Sequence, residues 1–323
     1  MLTYIGRRIL QMIPVFIGVT IILFILKAPG ILPGDPVKLI TGERAISPAL
    51  YAQVVKENAL DKPLWYQYGR WIDHLVHGDL GQSYQKKRAV SSILWEKFPN
   101  TLKLALVAIL IEAFFGLVAG ILSAVKRYSF WDMLVTLGSS ALVSVPVFWL
   151  GLLLQVLFGV KFKQWGLPYL PISNMTGKDF PTWVHFILPA FTLAAVSTAY
   201  AARITRSQLL EVMGQDYMRT AAAKGLSNGQ VIRRHGMKNA MIPVVTYLGL
   251  DLGGMVGGTI LTETVFNWPG IGYEIYKAIL LRDWPIVVGA VVIIVLLVMV
   301  INLLVDISYA FLDPRIRYGH AAK

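Results

Sequence analysis

The chain has 323 residues, of which 56% are apolar and only 15% are charged, and it contains no cysteine. Its apolar residues form long blocks, a distribution that excludes an ordinary soluble protein and indicates a membrane protein. The missing cysteines exclude disulfides and thiol chemistry. The net charge of +12 could suit nucleic acid or an acidic surface, so the position of the charges decides its meaning.

Six apolar blocks are long enough to cross a bilayer as helices, which need about 20 residues for a hydrocarbon layer roughly 30 Å thick. The sequence therefore predicts an all-α polytopic membrane protein. The fourth block is the weakest by composition, because it is short and contains Ser197 and Thr198. The blocks are Ile9 to Leu26, Leu102 to Val125, Met133 to Val160, His185 to Ala202, Ile242 to Leu261 and Ile286 to Leu312.

The first block could instead be a secretory signal with Arg7 and Arg8 as its charged region. Its apolar stretch of 18 residues exceeds the usual signal length of about 7–15, and no small-residue cleavage site follows, so an uncleaved helix is favoured. The segment of about 75 residues after it is expected to be helical from a cap at Ser47 and to lie along the outer surface.

The positive charges are distributed unevenly between the two sides of the membrane. On one side, the termini and two connections hold 14 Lys and Arg in 62 residues, against 5 in 46 residues for the two short loops opposite. The positive-inside rule therefore places both termini in the cytoplasm. The chain would then comprise a tail with the first helix (1–27), an external insertion (28–100), a five-helix core (101–312) containing a cytoplasmic loop (203–240), and a cytoplasmic tail (313–323).

Four polar residues interrupt the predicted spans, where ionisable groups are costly and often functional. Asp306 is expected to meet water near the cytoplasmic end of its span, and Glu112 is expected to pair with a neighbour inside the bundle. Asn302 is a further polar residue within the last span. Asp251 lies mid-span on a helix rich in glycine. Small residues there allow either close helix packing or a translocation path. The candidate path residues are Gly249, Asp251, Gly253, Gly254, Gly257 and Gly258.

The sequence carries no recognisable catalytic or energy-converting motif. Gly253 and Gly258 have the spacing of a phosphate-binding loop, but Thr259 and Ile260 follow where Lys and Ser or Thr are required. No metalloprotease or dinucleotide motif is present, and no metal site is predicted.

The cytoplasmic segment from Arg203 to Ala240 has the pattern of two short helices. Asp216 is predicted to cap the first, Tyr217 to Lys224, and Gly225 to end it. Ser227 and Gln230 form a capping box that begins the second helix. A solvated connector would explain the charge alone, and a nucleic-acid patch lacks interleaved aromatic residues. A docking element best explains the caps together with the alanines at 221–223.

The chain resembles the inner-membrane permease subunits of ATP-binding-cassette (ABC) importers, in particular the B-type subunit of the dipeptide, oligopeptide and nickel branch. The resemblance rests on "RRILQMIPVFIGVTIILF", "PGDPV", "LDKPLWYQYGRW", "GDLGQSY", "SVPVFWLGLLL", "ARITRSQLLEVMGQDYMRTAAAKGLS", "KNAMIPVV" and "TETVFNWPGIG" in order along nearly the whole chain. Aligned on Gly225, Arg219 replaces the Glu of the general importer signature, as in the peptide branch. His235, Met237 and Lys238 replace its Ile and Leu-Pro.

The resemblance implies a type I ABC importer permease fold in a bacterial inner membrane. The implied partners are membrane lipid, a second C-type permease, two cytoplasmic subunits that use ATP and Mg, and an external peptide-binding protein. The chain itself would bind no cofactor and be no enzyme. The implied coupling residues are Tyr217, Met218, Arg219, Thr220, Ala221, Ala222, Ala223, Lys224, Gly225, Leu226 and Ser227; the external loop residues are Trp268, Pro269, Gly270, Gly272 and Tyr273.

Two alternatives remain open beside import of di- or oligopeptides. Nickel-chelate importers share the permease pattern. A proton-coupled secondary carrier, acting alone and using Asp251, belongs to a different class of transporter.

Overall fold

The computed structural model describes residues 2–27, 36–41 and 47–312. The regular secondary structure of these residues is helical, apart from one isolated bridge between Gln82 and Ala89. The predicted tail 313–323 lies outside the described residues. The longer helices are α1 (Leu2–Lys27), α2 (Pro36–Thr41), α3 (Pro48–Glu57), α4 (Leu64–Val76), α5 (Val90–Val125), α6 (Phe130–Ser144), α7 (Val147–Leu154), α8 (Phe162–Gln164), α9 (Ile187–Met213), α10 (Asp216–Ala223), α11 (Asn228–Val231), α12 (Met237–Val265), α13 (Ile271–Leu280) and α14 (Trp284–Leu312).

The all-α prediction with six spans is confirmed. The described residues contain six helical segments that are long and apolar enough to cross a membrane. They are Ile5–Leu26, Val90–Val125, Val147–Gln164, Thr182–Met213, Asn228–Val265 and Trp284–Ser308.

The third predicted span, Met133 to Val160, is wrong as one continuous helix. α6 ends at Ser144, and Val145 is extended (φ −94°, ψ 126°) before Pro146. Proline disfavours helical geometry at the residue that precedes it, so the apolar run breaks there. The third span begins at Val147 and passes through a π-helical segment, Gln155–Lys161.

The fourth span, which is the least apolar by composition, lies inside the bundle. In its most apolar window 56% of the residues are buried, against 17% for the first span. α9, which forms most of this span, packs against α6, α7 and α12. Because its neighbours are protein rather than lipid, this helix does not need a continuous apolar surface.

The insertion contains two longer helices where the sequence predicted one helical stretch. Ser47 caps α3, as predicted, by accepting a hydrogen bond from the backbone N–H of Leu50 at 3.2 Å. The break follows at Ala59, which adopts φ +53°, and Pro63 precedes α4. Tyr68 of α4 then contacts α1 through a 3.0 Å hydrogen bond with Thr20.

Packing divides the chain into two compact units. One comprises Thr101–Pro269 and the chain from Val298 onward, and the other comprises Leu2–Asn100 with Gly270–Leu297. The proposed coupling segment and the glycine-rich helix α12 both belong to the first unit, and α13 belongs to the second.

Candidate functional site

The segment between α9 and α12 forms a compact hairpin around α10. α10 runs from Asp216 to Ala223, so Asp216 is its first helical residue and Gln215 is the N-cap. The predicted cap at Asp216 is therefore wrong by one position, although a carboxylate in the first turn still interacts favourably with the helix dipole. Gly225 ends the helix as predicted, with φ +82°, a backbone conformation that costs glycine least.

The second predicted helix is not separate from the membrane span. The capping box at Ser227 and Gln230 is confirmed, with the Gln230 side chain accepting from the Ser227 backbone N–H at 3.1 Å. From Asn228 the helix continues through a π-helical turn, Ile232–Gly236, into α12. α9 likewise extends to Met213. The connection outside the two helices is therefore much shorter than the predicted loop, 203–240.

α10 is attached to the rest of the hairpin by one buried face. Met218 and Ala221 pack with Val231 in a small apolar cluster. A Cβ at Gly236 would lie 3.2 Å from the Met218 methyl group, so this glycine permits the close approach of α10. Asn239, in the first turn of α12, donates a 2.9 Å hydrogen bond to the hydroxyl of Tyr217. α10 therefore contacts the start of the fifth span directly.

The opposite face of α10 is exposed and carries Arg219 and Lys224, of which Arg219 pairs with the exposed Asp216 at 3.6 Å. Of the three alanines predicted to form a thin wall, Ala222 and Ala223 are exposed, whereas Ala221 is buried against the hairpin. Two small side chains flanked by Arg219 and Lys224 leave room for another protein to approach the helix closely. The α10 surface consists of Tyr217, Arg219, Thr220, Ala222, Ala223 and Lys224.

A buried ion pair that the sequence analysis missed lies in the same unit as the hairpin. Arg206 of α9 donates to Asp132 of α6 at 2.8 and 3.0 Å, and Asp132 also accepts from the Ser123 hydroxyl of α5 and from the Tyr128 backbone N–H at 2.9 Å. The hydrogen bonds from Arg206, Ser123 and Tyr128 hold the pKa of Asp132 well below its usual range. A single Asp and Arg distant in sequence gave no signal for this contact.

The glycines of α12 divide into two sets. A Cβ at Gly249 would lie 2.6 Å from the Val305 side chain, and Gly253 faces Val298 at 3.6 Å, so both allow α14 to pack closely. Gly254 and Gly258 are exposed on another side of the helix. The structure thus places Gly249 and Gly253 at a helix contact rather than on an open face.

Glu112 was expected to pair with a neighbour inside the bundle, and its neighbour is not a hydrogen-bond donor. Glu112 is fully buried, and within the described residues neither of its carboxyl oxygens has a hydrogen-bond partner. The ionisable group that acts on it is another acid, Asp251.

The first predicted residue of the external loop is a core residue. Trp268 is fully buried, with its ring 4.6 Å from that of Phe186, and its backbone N–H donates to the Glu263 carbonyl at 2.8 Å. It is therefore not available to a binding protein. Gly270 and Gly272 are also buried, whereas Pro269 and Tyr273 are half-buried. Tyr273 remains the accessible side chain of this set.

The helix that follows, α13, is fixed by buried carboxylates at its start and just beyond its end. Glu274 pairs with Lys86 and, at 3.2 Å, with Lys277. Burial raises the pKa of Glu274, but the hydrogen bond from Lys86 and the charge of Lys277 outweigh it, so the pKa is lowered overall. Asp283 accepts from the Ser83 hydroxyl and from the Tyr84 backbone N–H at 3.0 Å.

Asp283 thus connects α13 to the "GDLGQSY" segment. Burial, together with the charge of Asp283, raises the pKa of Tyr84 to about 12, so this phenol stays neutral. The sequence motif therefore serves to position α13.

The hairpin between α9 and α12 is thus connected directly to two membrane spans, and comparison with known proteins identifies its setting. Residues 116–318 match the family described as the binding-protein-dependent transport system inner membrane component, and residues 1–105 match its N-terminal counterpart. The chain belongs to this family.

Several curated relatives extend over nearly the whole chain. The di/tripeptide transport system permease DppB of Pseudomonas aeruginosa and the dipeptide transport system permease DppB of Escherichia coli K12 are each 40% identical, covering 98% of this chain and 99% of their own length. The glutathione transport system permease GsiC of Salmonella typhimurium is 40% identical, covering 98% of this chain and all of its own.

Solved structures show the same fold. A chain of the methionine ABC transporter MetNI in an inward-facing conformation aligns with a TM-score of 0.53 at 18% identity, covering 68% of this chain and 96% of that chain. A chain of an amino acid ABC transporter aligns with a TM-score of 0.52 at 15% identity, covering 68% and 94%.

The predicted permease identity and type I fold are confirmed. The chain is a multi-pass inner-membrane permease subunit of an ABC importer, and it is not itself an enzyme. Permeases of this class work with another permease and with ATP-binding subunits, in which the ATP is used.

Proposed function

We propose that this permease forms half of the pathway for import of di- or oligopeptides. The observation that carries the proposal is the 40% identity over 98% of the chain to permeases named for dipeptide and di/tripeptide transport. The similar identity to a permease named for glutathione transport is consistent, since glutathione is also a small peptide. A nickel chelate remains the alternative substrate.

Reconstitution tests the proposal directly. The chain is assembled in liposomes with its second permease, its two ATP-binding subunits and the external binding protein, and uptake of labelled dialanine is measured. We expect uptake only when ATP and Mg are supplied on the side of the membrane that carries the ATP-binding subunits. Uptake of a nickel chelate but not of dialanine would reject the peptide assignment. Uptake by the single chain, driven by a pH gradient without ATP, would instead establish a secondary carrier.

We propose that the α10 surface is where an ATP-binding subunit docks. Three features support this role: the helix is exposed, it carries Arg219 and Lys224, and its buried face connects it to the fifth span through Met218 and Tyr217. Both termini would then lie in the cytoplasm, on the side that the charge count favours. Gly225 and Ser227 complete the turn, and Leu226 packs against the cluster beneath.

Replacing Gly225 with Val tests this docking role. A β-branched side chain resists φ +82°, so the turn after α10 should distort and uncouple ATP hydrolysis from transport. We expect uptake to fall about tenfold or more, equivalent to at least about 1.4 kcal/mol, with the complex still assembled. The matched control is Gly229→Val, at an open helical position four residues later. Normal uptake and normal ATPase stimulation in Gly225→Val would contradict the role.

We propose that α13 and Tyr273 face the external binding protein or cover the path. A photo-crosslinking amino acid at position 273 should capture the binding protein or the second permease, because this side chain is partly accessible. The same amino acid at position 268 should not, because Trp268 is fully buried. Equal capture from both positions would contradict the proposal that Tyr273, and not Trp268, faces these partners.

We propose that Asp251, Gly254 and Gly258 contribute to the translocation path, with Gly257 next to them. Gly254 and Gly258 are exposed in the single chain and Asp251 is half-buried, which leaves them able to face the second permease or a substrate. Packing of Gly249 and Gly253 against α14 makes these two the weaker path candidates.

A further inference from the structure

Glu112 of α5 and Asp251 of α12 form an unusual pair within the membrane spans. Glu112 is fully buried, and both its oxygens and Oδ2 of Asp251 lack a hydrogen-bond partner among the described residues. Tyr247, one turn before Asp251, has its hydroxyl 3.5 Å from the Ser197 carbonyl of α9. A Cβ at Gly116, one turn after Glu112, would lie 3.4 Å from the carbonyl oxygen of the adjacent residue, Thr198. The two acids therefore lie one helical turn from the same part of α9, and their carboxyl groups can share a hydrogen bond if one of them carries a proton. When both are ionised, neither can donate, because a carboxylate is only an acceptor.

Two ionised carboxylates in this position are physically unfavourable. Like charges a few ångströms apart repel strongly where water is scarce, and each buried charge also loses its hydration. One shared proton removes the repulsion and supplies the missing donor. We infer that Glu112 and Asp251 form a single acid pair that holds one proton and presents one negative charge as a site for a substrate ammonium group.

Burial indicates which of the two acids holds the proton. Glu112 is fully enclosed, whereas Asp251 is half-buried. The Oδ1 atom of Asp251 lies 3.9 Å from the position that a Cβ would take at the exposed Gly254, and so faces the open side of α12. Within the pair, Glu112 is therefore the enclosed donor to Oδ2, and Asp251 presents Oδ1 to the open side of α12.

The polar neighbours leave the negative charge of the pair uncompensated by a cation. Tyr247, one turn before Asp251, directs its hydroxyl to the Ser197 carbonyl at 3.5 Å. Asn302 of α14 lies near Gly253, where a Cβ would be 3.6 Å from its Oδ1. Within the described residues, no Lys, Arg or His forms an ion pair with either acid.

A compact cation with several donors fits such a site. The protonated amino terminus of a peptide carries a unit charge and three N–H donors, which an isolated carboxylate in a low-dielectric setting would bind. This assignment of the ligand rests on the proposed peptide transport. The shared proton does not, because it follows from the two acids alone.

Infrared spectroscopy of the assembled transporter tests the shared proton. The wild-type complex at neutral pH should show the carbonyl band of a protonated carboxylic acid, shifted in heavy water, and Glu112→Gln should remove it. The matched control, Glu211→Gln, changes an exposed acid near the end of α9 and should leave the band in place. Absence of the band from the wild type, or its persistence in Glu112→Gln, would overturn the pair, whatever the protein transports.

Transport measurements separate a positioning role from a merely structural one. Gln at position 112 keeps an N–H donor for Asp251, so we expect uptake within about threefold of wild type, whereas Glu112→Leu should lose about tenfold, because the donor to a charged group is gone. Asp251→Asn should lose at least as much. Equal loss in Glu112→Gln and Glu112→Leu, with both complexes assembled, would contradict donation by Glu112.

The ligand is tested by titrating the assembled complex with dialanine and with N-acetyl-dialanine while following the acid band. We expect only dialanine to perturb the band, and Asp251→Asn to abolish the perturbation. An equal response to both probes, or no response to either, would overturn the ammonium site. If wild-type liposomes import no dialanine, the proposed function fails, while the infrared result still decides whether the pair shares a proton.

Discussion

Gly120→Ala should strongly reduce the amount of folded permease in the membrane. A Cβ at Gly120 of α5 would lie 2.5 Å from the Thr205 Cβ and 2.6 Å from the Ala202 carbonyl oxygen of α9. A backbone atom cannot rotate away, so α5 and α9 must separate. Overpacking of this kind costs about 3 kcal/mol, which is a large part of the stability of a typical domain. Gly116, one turn earlier, faces Ala201 in the same way.

The measurement compares the folded fraction and the thermal midpoint of purified Gly120→Ala and Gly18→Ala. Gly18 also lies in a predicted span, but a Cβ there meets nothing within 4 Å. The control should therefore resemble the wild type. If both variants are equally stable, α5 and α9 do not approach each other at Gly120 as the structure describes.

Removing the carboxylate of Asp132 should have the second large effect. Asp132→Ala leaves the Arg206 guanidinium without its two hydrogen bonds at 2.8 and 3.0 Å, and leaves the Ser123 hydroxyl without its acceptor. Breaking a buried pair by deleting one partner costs about 3–5 kcal/mol, and partial exposure of Arg206 reduces this to about 2 kcal/mol. Denaturation of the purified permease measures the loss.

A charge swap distinguishes the pair from a general packing effect. Asp132→Arg and Arg206→Asp should each destabilise the protein alone, and their combination should recover part of the stability. If the double variant is as unstable as the sum of the single variants, the two side chains do not stabilise the fold as a pair.

The same pair gives the fold a defined pH dependence. The folded-state pKa of Asp132 is lowered below its unfolded value of 3.8. Its stabilising contribution is therefore fully present above pH 3.8 and is lost as the pH falls below that value. Asp132→Ala should be less sensitive to acid than the wild type over this range, measured by the denaturation midpoint.

Local chemistry determined much of the architecture. Long apolar blocks must form helices in a bilayer, because lipid offers no hydrogen-bond partner to backbone N–H and C=O groups. The six apolar blocks therefore predict six spans. Ser47, Gly225 and the pair Ser227 and Gln230 were identified because caps depend on neighbours within a few residues. The order of the motifs along the chain indicates the permease family without any tertiary contact.

Local chemistry also misled where two signals competed. Residues 133 to 160 are apolar without a break at Val145 and Pro146, so hydropathy alone predicts one helix. The helix nevertheless ends there, because proline disfavours helical geometry at the residue that precedes it. The position of Trp268 between two spans predicts an external loop that folds over the path or meets the binding protein. The ring of Trp268 is buried by Phe186, which is more than 80 residues away in the sequence.

The sequence by itself determined the class of protein, the number of spans and the short helix that ends at Gly225, because these depend on composition and on residues adjacent in the chain. Only the tertiary structure decided which glycines pack against helices, that Arg206 holds Asp132, and that Glu112 faces Asp251 rather than a donor. These contacts join residues from 45 to 139 positions apart in the sequence. Their energies depend on distances that no local pattern encodes.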